Sequence, residues 1–323
     1  MRNNERLNGL ARIMVALGGL GALLVVVLRV WIVPAQRDID TGLFTSNLLV
    51  IGLMLALLAA LGAVVFLMRD NARREIVGGP ALALSTVLLI VGGGMVLHGV
   101  VELLARLNIV TFYSVDQQWI FGEIPMVQVI LPWVQTVLSI LGGVAFVLCG
   151  LNVASEGGTR RGISKLGLLM PVLWMWFVLA NYMITYVSMV RITEGFFTVA
   201  AYVMELLFLF RFAGYMAGVG KHSVGSMLFF SCGAALFALS APLVRLLMHL
   251  LQEADAATAA GAAGPLDLFV GVLALTVSVT LCQSLSVSPA SEEEESVEWS
   301  GPEDVNPDVE LVEEAEESDF IEE

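Results

Sequence analysis

Charge is scarce along most of this sequence, and one stretch has charge of a single sign. Only 14% of the 323 residues are charged, against about a quarter in a soluble domain. From Ser291 to Glu323 there are 16 acidic residues and no Lys or Arg. The first 290 residues hold the other 14 acids and all 16 bases, so the formal net charge of −14 belongs to the tail. No basic patch lies outside short loops, which argues against a nucleic-acid partner. Cysteine is also sparse. Cys149, Cys232 and Cys282 fall inside apolar runs, with no CxxC or Cys/His ligand spacing. They read as small buried hydrophobes, and neither a metal site nor a cofactor is signalled. Walker A, GxSxG, a Gly-rich dinucleotide loop and paired acidic motifs for metal-dependent phosphoryl or lipid chemistry are all missing. These absences argue against an integral-membrane enzyme.

What the chain has in excess is apolar length. Hydrophobic residues make up 58% of it, and the mean hydropathy is +0.85. Eight apolar runs fall near 10–33, 46–68, 80–104, 127–153, 165–188, 196–219, 223–250 and 265–286. Each is long enough to cross about 30 Å of hydrocarbon as a helix. Strands would leave backbone groups unsatisfied in lipid, so the expectation is an all-α integral membrane protein of eight transmembrane helices. The first run lacks a small-residue cleavage site and seven more follow, so it reads as a retained span and not a signal peptide.

Lys and Arg in the short loops give orientation. With the N-terminus inside, 11 bases lie on the inner side, among them Arg2, Arg6, Arg69, Arg73, Arg160 and Lys221. Five lie outside: Arg29, Arg37, Arg106, Arg191 and Arg245. Both termini are then cytoplasmic. Arg245 reads as snorkelling to the outer headgroups. The aromatic segment Arg106 to Pro125 reads as an interfacial lid.

A short echo runs through the chain. "GLFT" at Gly42 to Thr45 returns as "GFFT" at Gly195 to Thr198, and "LHGVVE" at Leu97 as "MHLLQE" at Met248. The offsets stay near 150, which suggests two parallel four-span repeats, 1–153 and 160–290, followed by a disordered acidic tail, 291–323. Chance likeness between apolar stretches is the competing explanation.

"PVLW" (Pro171 to Trp174), "YVMELLFLFRFAGYMAGVGK" (Tyr202 to Lys221) and "MLFFS" (Met227 to Ser231), with the "DTGLFT" loop, resemble a group of uncharacterised multi-span membrane proteins of clostridia-like Gram-positive bacteria. The resemblance spans most of residues 35–250. It implies a bacterial plasma-membrane location and no particular activity.

Few residues inside the spans can carry chemistry. Glu205 lies near the middle of the sixth span, where an ionisable group is costly and faces the bundle interior. It is either a proton, cation or substrate site, or a neutral acid bonded to a neighbouring span as packing glue. Asn181 on the fifth span is its expected partner, with Tyr182 and Tyr186 nearby. His98 with Glu102, and His249 with Glu253, are i, i+4 pairs at the outer surface. They are either proton-responsive or metal-touching sites, or polar residues marking the membrane boundary. Gly92–Gly94, Gly142–Gly143 and the pair Gly214/Gly218 read as close helix contacts. The tail's Trp299, Val309, Leu311 and Phe320 could serve as a docking motif for a cytoplasmic partner, against the plainer reading of a solvated chain.

Two functions are carried forward. One is a non-enzymatic scaffold or regulatory component that packs in the bilayer against other membrane proteins. The other is a small-solute or ion transporter with a midplane site at Glu205.

Overall fold

A computed structural model describes residues 2–35, 48–68, 81–107, 126–154, 166–186, 192–217, 224–251 and 264–286. No strand occurs among the described residues. The helices are α1 (Arg2–Ala35), α2 (Leu48–Met68), α3 (Ala81–Arg106), α4 (Met126–Ala154), α5 (Met170–Tyr186), α6 (Ile192–Met216), α7 (Val224–Leu250) and α8 (Pro265–Ser286). These eight are long and apolar enough to cross a membrane. They all fall within one compact unit, Met1–Val287. The acidic tail, the Gly42 loop, the 108–125 segment and Glu253 lie outside the described residues.

Helix ends depart from the apolar runs where local chemistry overrides hydropathy. α5 begins at Met170, with Pro171 in its first turn and a 3-10 turn, Gly167–Leu169, just before it. Proline is tolerated there because that N–H has no helical acceptor. α4 runs through Pro132, whose missing donor falls in the second turn. α1 extends through the polar residues Arg2 to Glu5, well before its apolar run.

In a bundle surrounded by lipid, hydrophobicity does not draw helices together; close packing and hydrogen bonds do. Small residues make that contact here. A Cβ added at Gly92 would come 2.7 Å from the Gly143 carbonyl oxygen, and one at Gly143 would come 2.6 Å from that of Gly92. α3 and α4 thus touch backbone to backbone. Further along, Ser85 donates to the Gly150 carbonyl at 2.8 Å, and Ser139 to the Met95 carbonyl at 3.0 Å. The Gly92 and Gly143 contact matches the sequence expectation, while Gly218 lies outside the described residues.

The centre of the bundle is α7. In an 18-residue apolar stretch of it 83% of residues are buried, against 17% in the corresponding stretch of α2. Its middle, Ser231 to Ala241, is mostly Ser, Cys, Gly and Ala, so α1, α2, α6 and α8 can all approach it. At Gly18 of α1 a Cβ would sit 2.9 Å from Cys232 Cβ. Ser278 Oγ of α8 is 2.7 Å from Ser231 Oγ, and the Cys232 thiol lies 3.5 Å from Ser278 Oγ. Each of those serines also reaches a carbonyl of its own helix, Leu228 or Ala274. Cys149 and Cys232 are fully buried free thiols.

Three helix pairings recur between the two halves. α1 packs on α2 as α5 does on α6, α3 on α4 as α7 on α8, and α4 on α5 as α8 on α1. The third and seventh helices differ. α7 is the enclosed centre, while only 28% of the corresponding stretch of α3 is buried and its main neighbours are α4 and α8.

Candidate functional site

α6 turns one face into the bundle. Thr198, Ala201, Tyr202, Glu205, Phe208, Leu209 and Phe212 are buried, a spacing of three, four and seven that lines one side of a helix. Glu205 lies near the middle of the span Phe197–Met216 and is 0% exposed. Neither of its carboxyl oxygens has a hydrogen-bond partner. Aromatic and thioether side chains flank it along α6. Phe208 stacks on Phe212 at 5.8 Å, Tyr202 meets Tyr182 of α5 edge-on at 5.6 Å, and the Met204 methyl packs against Gly233 of α7.

The partner expected from sequence is placed elsewhere. Asn181 donates its side-chain amide to the Gln135 carbonyl of α4 at 3.2 Å, and so ties α5 to α4. Tyr182 meets the α6 stripe through the ring of Tyr202, one turn before Glu205. The other buried acid among the described residues is Asp267 of α8. Asp267 is 5% exposed and sits in the first turn of its helix. There its Oδ2 accepts the Gly264 N–H at 2.7 Å, while the Asp267 N–H donates to the Gly264 carbonyl at 3.2 Å. This is one half of a capping box, the N-cap glycine having no side chain to complete it, and the second bond is a backbone turn; Pro265 holds the first helical position.

A third charged side chain is buried in the bundle. Arg29 of α1 is 0% exposed and its guanidinium lies 5.1 Å from the ring centre of Phe197. Phe197 precedes Glu205 by eight residues, about 12 Å along the axis. The face of an aromatic ring attracts a desolvated cation, by about 2 kcal/mol. Sequence reasoning used Arg29 only as a marker of the outer side, but the arginine lies inside the α1 span Arg6–Ile32. It had no place at all for Asp267. A signal existed for each: an Arg within "VVVLRVW", and an acid three residues after Gly264 at a helix entry.

The outer pairs separate. Glu102 accepts a hydrogen bond from Thr136 of α4 at 2.9 Å, and Arg106 lies 3.7 Å from the same carboxylate oxygen. Arg106 also donates to the Thr136 hydroxyl at 3.3 Å, and that hydroxyl has the Pro132 carbonyl as a second acceptor at 2.8 Å. His98 is half-buried and its Nδ1 has no hydrogen-bond partner, so the His98–Glu102 pair does not form. Glu102 works instead as a clasp between α3 and α4. The Glu102–Arg106 ion pair is about one-third exposed on each side and is worth at most about 1 kcal/mol. His249 is exposed in the last turn of α7, and Glu253 falls outside the described residues. Among the described residues no group of three His, Cys, Asp or Glu is placed to hold a metal ion.

Compared with known protein families, curated proteins and solved structures, the chain matches none.

Proposed function

We propose that this is a multi-pass membrane protein that moves protons or a proton-coupled small solute, with Glu205 as its midplane site. The single observation that carries the reading is the Glu205 carboxyl, fully buried with neither oxygen bonded. Packing glue holds two helices by a hydrogen bond, and this carboxyl makes none. An unpaired carboxylate in hydrocarbon costs several kcal/mol, and a proton removes that cost. A metal ion is a poorer occupant. It needs several oxygen ligands, and among the described residues no three His, Cys, Asp or Glu side chains are grouped to supply them.

The wider setting belongs to the same proposal. A bacterial plasma membrane with both termini cytoplasmic rests on the Lys and Arg distribution and on the resemblance described above. Duplication of a four-span half is supported by the recurring helix pairs. No catalytic role is proposed, in keeping with the absence of catalytic motifs. The second reading, a scaffold or regulatory component with a tail that docks a partner, is favoured by α2. Only 17% of an 18-residue apolar stretch of it is buried, which leaves most of that helix for lipid or another membrane protein.

Vesicles containing the purified protein and a trapped pH dye test the first reading. An imposed potential should drive proton movement in the wild type and at least tenfold less in Glu205→Gln. Equal rates in the two would leave the scaffold reading in its place.

A further inference from the structure

Resting on the transport reading, we propose that the solute exchanged for protons at Glu205 is a lipophilic organic cation, such as a quaternary ammonium or phosphonium ion, held by the ionised carboxylate between aromatic rings. The carboxyl is 0% exposed and neither oxygen makes a hydrogen bond. A sugar or an amino acid brings several N–H and O–H groups, and each one left without a partner in a buried site is costly. A quaternary cation has no such group. It asks only for one negative charge and for ring faces. Tyr202 and Phe208 stand three residues before and after Glu205, and Phe212 seven after, all buried on one face of α6. At a spacing of three, neighbouring Cβ atoms are about 5–6 Å apart. The rings then continue in both directions along the axis. Tyr202 meets Tyr182 of α5 at 5.6 Å, Phe208 stacks on Phe212 at 5.8 Å, and Phe212 meets Phe146 of α4 edge-on at 6.3 Å. Rings from three helices therefore flank a single carboxyl on both sides, a setting that attracts a desolvated cation. Room comes from Met204, whose pliable thioether packs over the bare backbone of Gly233.

Proton and cation compete for one carboxylate. When a cation binds, the carboxyl releases its proton, so one positive charge enters the site and one leaves. Binding therefore strengthens as pH rises and levels off once the carboxyl is ionised. The titratable or charged side chains on the helices packed against α6 are Tyr182 on α5, Cys232, Arg245 and His249 on α7, and Asp267 and Cys282 on α8. Arg29 of α1 lies over Phe197, and α6 itself adds Tyr202, Tyr215 and Arg211, whose guanidinium lies over the Phe230 ring. Among the described residues the other buried charged side chains are Arg29 and Asp267, one of each sign, which leaves the Glu205 carboxylate to balance the cation.

Tetraphenylphosphonium is a suitable probe, because it enters the bilayer unaided. Tetraphenylborate, its match in shape with the opposite charge, is the control. Binding to the full chain in lipid nanodiscs is measured by equilibrium dialysis across a pH series, with empty nanodiscs subtracted, and proton release is followed with a dye in weak buffer. The wild type should show one saturable phosphonium site, about tenfold tighter per pH unit until the carboxyl is ionised, with protons released as the cation binds and no saturable borate site. Glu205→Gln should abolish both the site and the release. Phe208→Leu, or Tyr202→Leu should the first fail to fold, should weaken binding about fivefold and keep its pH dependence. Thermal unfolding checks each variant. A folded wild type without a saturable phosphonium site overturns the proposal. So does a site that persists in folded Glu205→Gln, binding that ignores pH, or unchanged affinity in a folded ring variant. Proton movement through wild-type vesicles without phosphonium binding would keep the transport reading and sink the cation. Phosphonium binding with proton release, but with no proton movement through vesicles, would sink transport and leave the cation site standing.

Discussion

Replacing Glu205 by leucine trades an unbonded carboxyl for a methyl group of similar volume. No hydrogen bond is lost, so Glu205→Leu should stabilise the protein by about 1–3 kcal/mol in thermal unfolding. A loss of comparable size would show that the carboxyl holds a partner and that its isolation is mistaken. Asn181 makes the opposite case. Asn181→Leu breaks its bond to Gln135 and should cost about 0.6–1.7 kcal/mol, the range for polar contacts between membrane helices, with no change in proton movement into vesicles. If proton movement changes as well, Asn181 belongs to the site after all. The depth of Glu205 was readable from the sequence, since an acid in the middle of an apolar run must face protein. Its neighbour was not. Asn181 lies at comparable depth on an adjacent helix, but depth leaves the rotation of the helix about its axis undetermined. Asp267 went unremarked, although an acid three residues after Gly264 is a helix-entry signal.

Among the helices, α3 and α4 offer the sharpest contrast. Gly92 meets the backbone of α4, whereas a Cβ at Gly93 would have nothing within 4 Å. Gly92→Leu should therefore destabilise the protein by at least about 1–3 kcal/mol, and Gly93→Leu should be close to silent. Thermal unfolding of the two variants in one detergent makes the comparison, and equal effects would put the α3–α4 contact on the wrong face. The existence of the spans was legible because twenty apolar residues suffice to define one. The choice of α7 as the centre was not, because all eight runs are similarly apolar. The cue was size and not hydropathy: "SCGAALFALSA" from Ser231 to Ala241 has side chains small enough to let four helices in. α2 also has a row of small residues, Gly52, Ala56, Ala60 and Ala63, yet only 17% of an 18-residue apolar stretch of it is buried, so size alone does not choose the centre.

At the scale of the whole molecule, an even number of spans sets both termini on one side. With the N-terminus cytoplasmic, a membrane-impermeant thiol reagent added outside should label Asp116→Cys and leave Ala72→Cys untouched, and the reverse pattern would invert the topology. The proposed duplication is the least legible reading, since corresponding pairings and unequal third and seventh helices coexist in the same bundle. Short apolar echoes carry little information about which helix ends up enclosed. The central claim concerns one carboxyl in the middle of that bundle, and infrared spectroscopy of the purified protein in lipid tests it most directly. At neutral pH the wild type should show the carbonyl band of a protonated carboxylic acid without a hydrogen bond. That band should vanish in Glu205→Gln and persist in Glu102→Gln. Identical carbonyl bands in the wild type and Glu205→Gln, or the loss of an ionised carboxylate band on that substitution, would contradict the account.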